Sequence, residues 1–275
     1  MLRSSPTRWG RRPDAGTEVV LRFLLLLCAA LLAGPLAGPA AAADLRLLTV
    51  PAYRFVAQDV AAMYQRDTGH KVTIAVDSAN RLVHRIDKTG EAFDVVVLPQ
   101  RAIERLIGTR KIYDDSLTDL AQSGFGVAVG LSAPRPDVSN PENLRRVLLA
   151  ARAVSYVDPY AGGAADLYLE QLFQNMGILF EMRAKTVPAI GGYAAQVVAS
   201  GQADIAIQQA SELMVVPGVQ FVGLLPASIQ RYTVYTGAVS LGTRDVDAAA
   251  LLLEALARAD EAGVLRRRGM EPISF

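Results

Sequence analysis

The chain has 275 residues with 28 basic and 27 acidic side chains, so its formal net charge is +1. This balance argues against a nucleic-acid partner, which needs a basic footprint. One cysteine and two histidines are too few for a disulfide framework and a poor basis for a zinc site. We therefore expect no metal site.

The first 43 residues predict a secretory signal peptide. Four arginines open the segment, the apolar run VLRFLLLLCAALLAGPLAG follows, and small residues lead to expected cleavage near Ala43–Asp44. A transmembrane anchor is the alternative, but Arg22, Pro35 and Pro39 break the apolar segment. Because five basic and two acidic residues lie in the peptide, the mature chain would keep 23 basic and 25 acidic residues and no cysteine. Its predicted location is the periplasm.

Short apolar runs alternate with helical periods along the first half of the mature chain. Gly69 predicts the end of the first helix, and the DSAN turn predicts the cap of the second. The predicted order is strand 45–50, helix 54–69, strand 71–76, helix 81–90, strand 93–99 and helix 100–108.

The second half repeats this alternation and then returns to strands and a long helix. The predicted elements are strand 124–132, a loop and helix over 133–150, strand 153–159, a Gly-rich turn feeding a helix over 160–178, a strand–turn–helix–strand unit over 184–213, strands 219–226 and 230–242, and an amphipathic helix with its capping segment over 245–270.

This order predicts an α/β fold with two lobes, each a mostly parallel sheet flanked by helices. We expect lobe one to comprise residues 44–123 and 229–275, and lobe two to comprise residues 124–228. In parallel sheets, ligands bind beyond the carboxyl ends of the strands, where helices begin. We therefore expect the ligand in the cleft between the lobes.

Four turns are candidate anion sites, because each would present backbone N–H groups and the positive end of a helix. They are PAYR at 51–54, DSANR at 77–81, DPYAGGAAD at 158–166 and GGY at 191–193. Each turn has a plain structural alternative as a tight connection or an ordinary helix cap. Arg54 and Arg81 stand beside the first two turns, although most arginines are surface charges.

Two adjacent glutamines, Gln208 and Gln209, follow the apolar run Ile205–Ile207. A buried amide without partners costs about 1–3 kcal/mol, so both amides need hydrogen-bond partners. Because successive strand residues point to opposite faces, the two side chains have different surroundings.

The order of these segments resembles the periplasmic molybdate-binding protein family. The resemblance is carried by LLTVPAYRF, by RDTGHKVTIAVDSANRLVHRI, by YVDPYAGGAADLYLEQLFQNMGI and by VASGQADIAIQQASEL, and it covers essentially all of residues 44–275. It implies a two-lobed periplasmic binding protein fold whose lobes close about a hinge. It also implies a monomer that delivers a small anion to an ABC importer and uses no cofactor.

The family's ligand contacts carry over only in part. The serine of the family's first turn is missing from Pro51–Arg54, and Gln209 stands where the family has a ligand-contacting tyrosine. Gln208 is then expected to be a structural amide bonded to the backbone. The ligand-binding residues implied by the resemblance and the neighbouring turns are Tyr53, Arg54, Ser78, Ala79, Asn80, Arg81, Gly162, Gly163, Ala164 and Gln209.

Losing a serine and a tyrosine while gaining two arginines favours a small organic anion or a different oxyanion, because guanidinium forks suit planar carboxylates. The string AIQQASE is also similar to a branch of the superfamily that includes periplasmic aconitate isomerase. In that alternative His84 or Glu212 would serve as the general base. A scaffold protein that binds no small molecule is the third interpretation.

Overall fold

The computed structural model describes residues 42–157, 164–190 and 192–273. Almost all of the predicted signal peptide, residues 1–43, lies outside the described residues. Within the described part of the chain, no helix has the length and apolar character needed to cross a membrane.

Strands and helices alternate through the described residues. The strands are β1 (Asp44–Thr49), β2 (Lys71–Val76), β3 (Val95–Pro99), β4 (Thr118–Gly130), β5 (Val154–Ser155), β6 (Ile205–Gln209), β7 (Val219–Leu224) and β8 (Tyr232–Val239). The α-helices are α1 (Arg54–Thr68), α2 (Ala79–Lys88), α3 (Gln100–Ile103), α4 (Pro141–Ala150), α5 (Ala164–Asn175), α6 (Leu179–Lys185), α7 (Ala194–Ala199), α8 (Ala210–Leu213), α9 (Val246–Ala257) and α10 (Val264–Arg267).

Helix α1 shows how local sequence defines an element. A 3-10 turn over Pro51–Tyr53 leads directly into the helix at Arg54. Val56 and Val60 are buried one turn apart, which places an apolar stripe against the sheet. Gly69 follows the helix with φ 76°, a left-handed conformation that glycine adopts without steric penalty. The predicted start and end of this helix are confirmed.

The first core surrounds β1, β2 and β3. Strand β1 pairs in parallel with β2 on one side and with β3 on the other. Thr49 lies opposite Val76 and Val97 in these pairings, so all three strands end at the same edge of the sheet. The turns that follow β1 and β2 are therefore neighbours, as expected for a parallel sheet.

Strand β6 is buried on both faces. Ile205 and Ile207 belong to an apolar cluster that includes Leu144 and Phe173. Ala206 points to the opposite face and packs in a cluster of small residues with Ala195 of α7. This two-sided burial explains why the segment has a continuous apolar run in place of an apolar–polar alternation.

The sheet is mixed, which corrects the prediction of mostly parallel sheets. The strand order is β2-β1-β3-β8-β4-β6-β5, with β7 also paired to β4. Among the described strands, the parallel pairs are β1–β2, β1–β3 and β5–β6. Strands β8 and β4 pair antiparallel with each other and with their other partners. The α/β class itself is confirmed.

Strand β4 contributes residues to two apolar clusters, the first core around β1, β2 and β3 and the cluster around β6. It therefore pairs with strands of both regions, which makes the sheet mixed. Leu120 and Ala121 belong to the first core, whereas Phe125 and Val127 belong to the cluster around β6. A strand shared in this way must pair with β8 at one end and with β6 at the other. The predicted lobe boundaries at 123/124 and 228/229 remain a prediction.

Two shorter strands were also predicted too long. Of the strand expected over 153–159, the described residues 153–157 form a regular strand at Val154–Ser155 only, and residues 158–159 lie outside the described part of the chain. The segment expected to open a strand at 184 instead ends helix α6, and Thr186 makes a single bridge to Val154. Both pieces lie at the edge of the sheet, where pairing partners are fewest.

Lys185 caps the end of helix α4. Its Nζ donates hydrogen bonds to the carbonyls of Leu148, Leu149 and Ala151 at 2.6, 2.8 and 2.8 Å. The last carbonyls of a helix have no partners within the helix, and they form the negative end of its dipole. An ammonium group donates hydrogen bonds to these carbonyls and places a positive charge beside the dipole. Partial burial lowers the pKa of Lys185 from its ordinary value.

Replacing Lys185 with methionine should lower the free energy of unfolding by about 1.5 kcal/mol, because it keeps the aliphatic stem and removes the charged donor. Urea denaturation measures the effect. Lys88→Met is the matched control, since the side chain of Lys88 is 68% exposed and pairs with its neighbour Asp87. Equal losses in the two variants would show that the cap contributes nothing special.

Candidate functional site

Tyr53 lies at the carboxyl edge of β1 and is fully buried. Its hydroxyl has no hydrogen-bond partner among the described residues. The ring lies 5.8 Å from the ring of Tyr235, measured between centroids. Burial raises the pKa of Tyr53 well above its ordinary value, so the hydroxyl stays protonated at neutral pH and is available as a donor.

Gln209 ends β6 and contacts Tyr235. Its Nε2 donates to Oγ1 of Thr233 at 2.8 Å, and its Oε1 accepts a hydrogen bond from the Tyr235 hydroxyl. Only 5% of Gln209 is exposed. The amide therefore holds Tyr235 in place against Tyr53. A direct contact between Gln209 and a ligand remains a prediction.

Gln208 has a different partner. Its Oε1 accepts a hydrogen bond from the backbone N–H of Ala194 at 2.7 Å. Ala194 is the first residue of α7, so this amide satisfies one of the N–H groups that a helix start leaves unpaired. The prediction that Gln208 is a structural amide is confirmed.

Tyr193 joins α7 to the turn after β1. Its hydroxyl donates to the carbonyl of Pro51 at 3.4 Å. Burial raises the pKa of Tyr193, the charge of Glu212 raises it further, and the guanidinium of Arg54 opposes both. Tyr193 is therefore within electrostatic reach of two groups of opposite charge. The sequence marked the GGY turn but not this hydroxyl, and the only local signal was an aromatic residue directly before a helix.

Glu212 belongs to α8, the single helical turn that follows β6 directly and packs against the Pro51–Tyr53 turn. Its side chain is half-buried. Besides its effect on Tyr193, it raises the pKa of Tyr235, which burial already raises well above the ordinary value. Glu212 is thus close to both tyrosines.

These side chains gather at one place and define the candidate site. Helix α8 contacts the Pro51–Tyr53 turn, strand β6 and helix α7, and so brings these segments together. The members of the candidate site are Tyr53, Arg54, Tyr193, Gln209, Glu212 and Tyr235.

The start of α2 adjoins this site along the same edge of the sheet. Ser78 is the N-cap residue of α2, is half-buried, and makes no side-chain capping bond. Asn80 is exposed and accepts a hydrogen bond from Arg105 at 2.8 Å. Arg81 is 78% exposed at its side chain and lies 3.7 Å from Asp77. The two predicted arginines therefore occupy different environments.

The remaining predicted residues divide into three groups. Ala79 is half-buried and opens α2, and His84 lies on the exposed side of the same helix. Ala164 opens α5, in agreement with the helix predicted within 160–178, whereas the turn before it lies outside the described residues. Gly162 and Gly163 lie outside the described residues.

Metal ligands are not clustered in the described part of the chain. No group of three or more His, Cys, Asp or Glu side chains is placed there to hold a metal ion. The candidate site instead offers hydroxyl donors, one guanidinium and one carboxylate. Such a set recognises a small polar molecule by hydrogen bonding and charge.

Comparison with known proteins identifies the family. The sequence model of the bacterial extracellular solute-binding proteins matches residues 45–271. The chain belongs to this family. A relative named aconitate isomerase, from a Pseudomonas species, is 34% identical over 226 residues, which is 78% of this chain and 83% of that protein. The predicted likeness to the solute-binding proteins and to the aconitate isomerase branch is thereby confirmed.

Solved structures of low sequence identity share the fold. The periplasmic molybdate-binding protein of Azotobacter vinelandii has a TM-score of 0.68 at 18% identity, covering 84% of this chain and 100% of that one. A sulfate-binding protein of Mycobacterium tuberculosis has a TM-score of 0.63 at 15% identity, covering 84% and 88%. The predicted fold of a periplasmic binding protein is confirmed.

Proposed function

We propose that this solute-binding protein captures a small organic polycarboxylate in the periplasm and, as a monomer, delivers it to an ABC importer. The observation that carries the proposal is Arg54 at the start of α1, directly after Tyr53, whose hydroxyl has no partner among the described residues. Helix α1 has no acidic residue in its first turn and no side-chain cap, so its positive end is not compensated. A guanidinium fork beside a helix start suits a carboxylate.

The candidate site contains charged side chains, so it differs from an anion site built from neutral hydroxyl and N–H donors alone. It combines the guanidinium group of Arg54 with the carboxyl group of Glu212, which is half-buried. A doubly charged oxyanion such as molybdate carries no hydrogen at neutral pH and would be repelled by Glu212. A larger carboxylate can place its negative groups at Arg54 and keep the rest of its skeleton beside Glu212.

A thermal-shift screen tests the proposal. Succinate, citrate, cis-aconitate, sulfate and molybdate are each added to the purified protein at increasing concentration. We expect at least one polycarboxylate to raise the unfolding midpoint, since a hundredfold excess over the dissociation constant stabilises by about 2.7 kcal/mol. Nanomolar binding of molybdate in a calorimetric titration, with no response to carboxylates, would contradict the proposal.

A second candidate function is isomerisation of a tricarboxylate, favoured by the relative named aconitate isomerase. An isomerase of this kind needs a general base beside the substrate carbon. Glu212 suits this role, because it lies in the candidate site, whereas His84 is on the exposed side of α2. Incubating the protein with cis-aconitate and following the olefinic proton signals by NMR distinguishes the two functions. Binding without conversion over hours leaves capture alone.

A further inference from the structure

Two arginines from distant parts of the chain lie over the ring of Phe55, the second residue of α1. The Cζ atom of Arg54 is 5.1 Å from the ring centroid, and the Cζ atom of Arg268, which directly follows α10, is 5.6 Å from it. Both distances allow a cation–π interaction, in which the negative face of an aromatic ring attracts a cation. The half-buried ring of Phe55 therefore contacts both guanidinium groups.

The two guanidinium groups differ in their charge partners. Arg268 donates from Nε and Nη2 to the two carboxylate oxygens of Asp59, each at 2.8 Å, so a bidentate ion pair balances its charge. Arg54 is exposed and forms no ion pair with a carboxylate in the described part of the chain. Of the two cations over this ring, Arg54 is therefore the one whose charge is left for an anion.

Contact with the ring limits the freedom of the Arg54 side chain. An exposed arginine has many rotamers and loses this freedom when it binds an anion, which weakens the binding. The ring of Phe55 contacts Arg268, and Arg268 is fixed to α1 by Asp59, one helical turn after Phe55. A guanidinium that already lies over a fixed ring loses less freedom on binding.

We infer that Phe55 is a positioning residue for ligand binding, because its ring, supported by the Arg268–Asp59 ion pair, orients the guanidinium of Arg54 before an anion binds. The inference rests on the proposed function, since it takes Arg54 as the group that binds a carboxylate. It assigns Phe55 no contact with the ligand. A substitution of Phe55 therefore acts on binding through Arg54.

Phe55→Leu tests the inference, because leucine keeps an apolar side chain and removes the ring. Succinate, citrate and cis-aconitate are each titrated calorimetrically into the unmodified protein and the variant. Each of these anions that binds should bind the variant about threefold more weakly, the factor expected for loss of one exposed cation–π contact. Phe55→Tyr keeps an aromatic ring and should restore the affinity of the unmodified protein.

A double-mutant cycle with Arg54→Gln separates positioning from a general structural effect. Without the guanidinium of Arg54, Phe55→Leu should no longer change the dissociation constant, because the group that the ring orients is gone. A general loss of structure would weaken binding by the same factor with and without Arg54. Phe180→Leu is the matched control, since Phe180 is 84% exposed on α6, which packs against α4 and α5, and it should leave the affinity unchanged.

The outcomes distinguish the inference from the proposed function. Equal affinities of the unmodified protein and Phe55→Leu would overturn the inference and leave the proposed function standing. The same holds if Phe55→Leu weakens binding by equal factors in the presence and absence of the Arg54 guanidinium. If none of the three polycarboxylates binds the unmodified protein, the proposed function is overturned and the inference falls with it.

Discussion

Replacing Arg54 with glutamine is expected to weaken binding of a polycarboxylate about a hundredfold. The side chain is exposed at the first position of α1, where it can reach a ligand, and it is near the Tyr193 hydroxyl. Glutamine keeps hydrogen-bonding capacity but loses the charge and the fork that bind a carboxylate through two parallel bonds. Removing one partner of a charged pair of this kind costs about 2–5 kcal/mol, and exposure of Arg54 places the effect near the lower limit.

Arg81→Gln is the matched control, because both arginines follow a turn at the same edge of the sheet. The side chain of Arg81 is 78% exposed and faces Asp77, so its loss should change the dissociation constant less than twofold. Calorimetric titration of both variants measures the difference. Arg54→Lys should recover part of the affinity, since an ammonium supplies the charge without the fork. Equal effects at Arg54 and Arg81 would remove Arg54 from the site.

The first half of the fold could be predicted from local sequence. Strands β1 and β2 and helix α1 each leave a periodic apolar pattern, and Gly69 marks a left-handed helix end. Parallel strands separated by helices then force the turns after β1 and β2 to the same edge. Those two steps were sufficient to place Tyr53, Arg54 and Ser78 near one another.

Strand β4 could not be predicted in the same way. The sequence indicated a strand from Gly124, whereas β4 begins six residues earlier at Thr118. Four of the six added residues, TDLAQS, are polar, and the segment pairs with β8, which lies far away along the chain. Local periodicity carries no information on the direction of a partner strand, so the antiparallel pairings were missed as well.

The site was predicted only in part, because local sequence also carries no information on which distant side chains meet. Arg54 and Arg81 have equivalent sequence surroundings, and only tertiary contacts separate them. The Tyr193 hydroxyl was missed, because a hydroxyl becomes notable only when its burial and its partners are known. Gln209 was correctly chosen as a residue that needs partners, but its partners are Thr233 and Tyr235.

Replacing Gly269 with alanine is expected to lower the free energy of unfolding by about 3 kcal/mol. Gly269 has φ +69°, and an added Cβ would lie 2.7 Å from the carbonyl carbon and oxygen of Ala210 and 2.8 Å from the nitrogen of Ser211. These backbone atoms belong to α8, which carries Glu212. The left-handed conformation costs alanine about 1 kcal/mol, and overpacking adds about 1–3 kcal/mol.

The segment around Gly269 cannot move away from α8 easily, because it is held on its other side. The hydroxyl of Ser123 donates to the carbonyl of Gly269 at 3.1 Å, and Gln122 and Glu271 exchange two backbone hydrogen bonds of 2.9 and 2.8 Å. The strain of the new methyl group must therefore displace α8. We expect Gly269→Ala to weaken ligand binding as well as stability, since Glu212 moves with the helix.

Gly90→Ala separates the two causes of this effect. Gly90 has φ +66°, nearly the same as Gly269, but an added Cβ would meet no atom within 4 Å. It should lose only about 1 kcal/mol by urea denaturation, the cost of the backbone conformation alone, and keep its ligand affinity. Equal losses of unfolding free energy in the two variants would show that the structure around Gly269 accommodates the new methyl group without an energetic penalty. A larger loss at Gly269, together with weaker binding, would show that the C-terminal segment holds α8 in the position that the ligand requires.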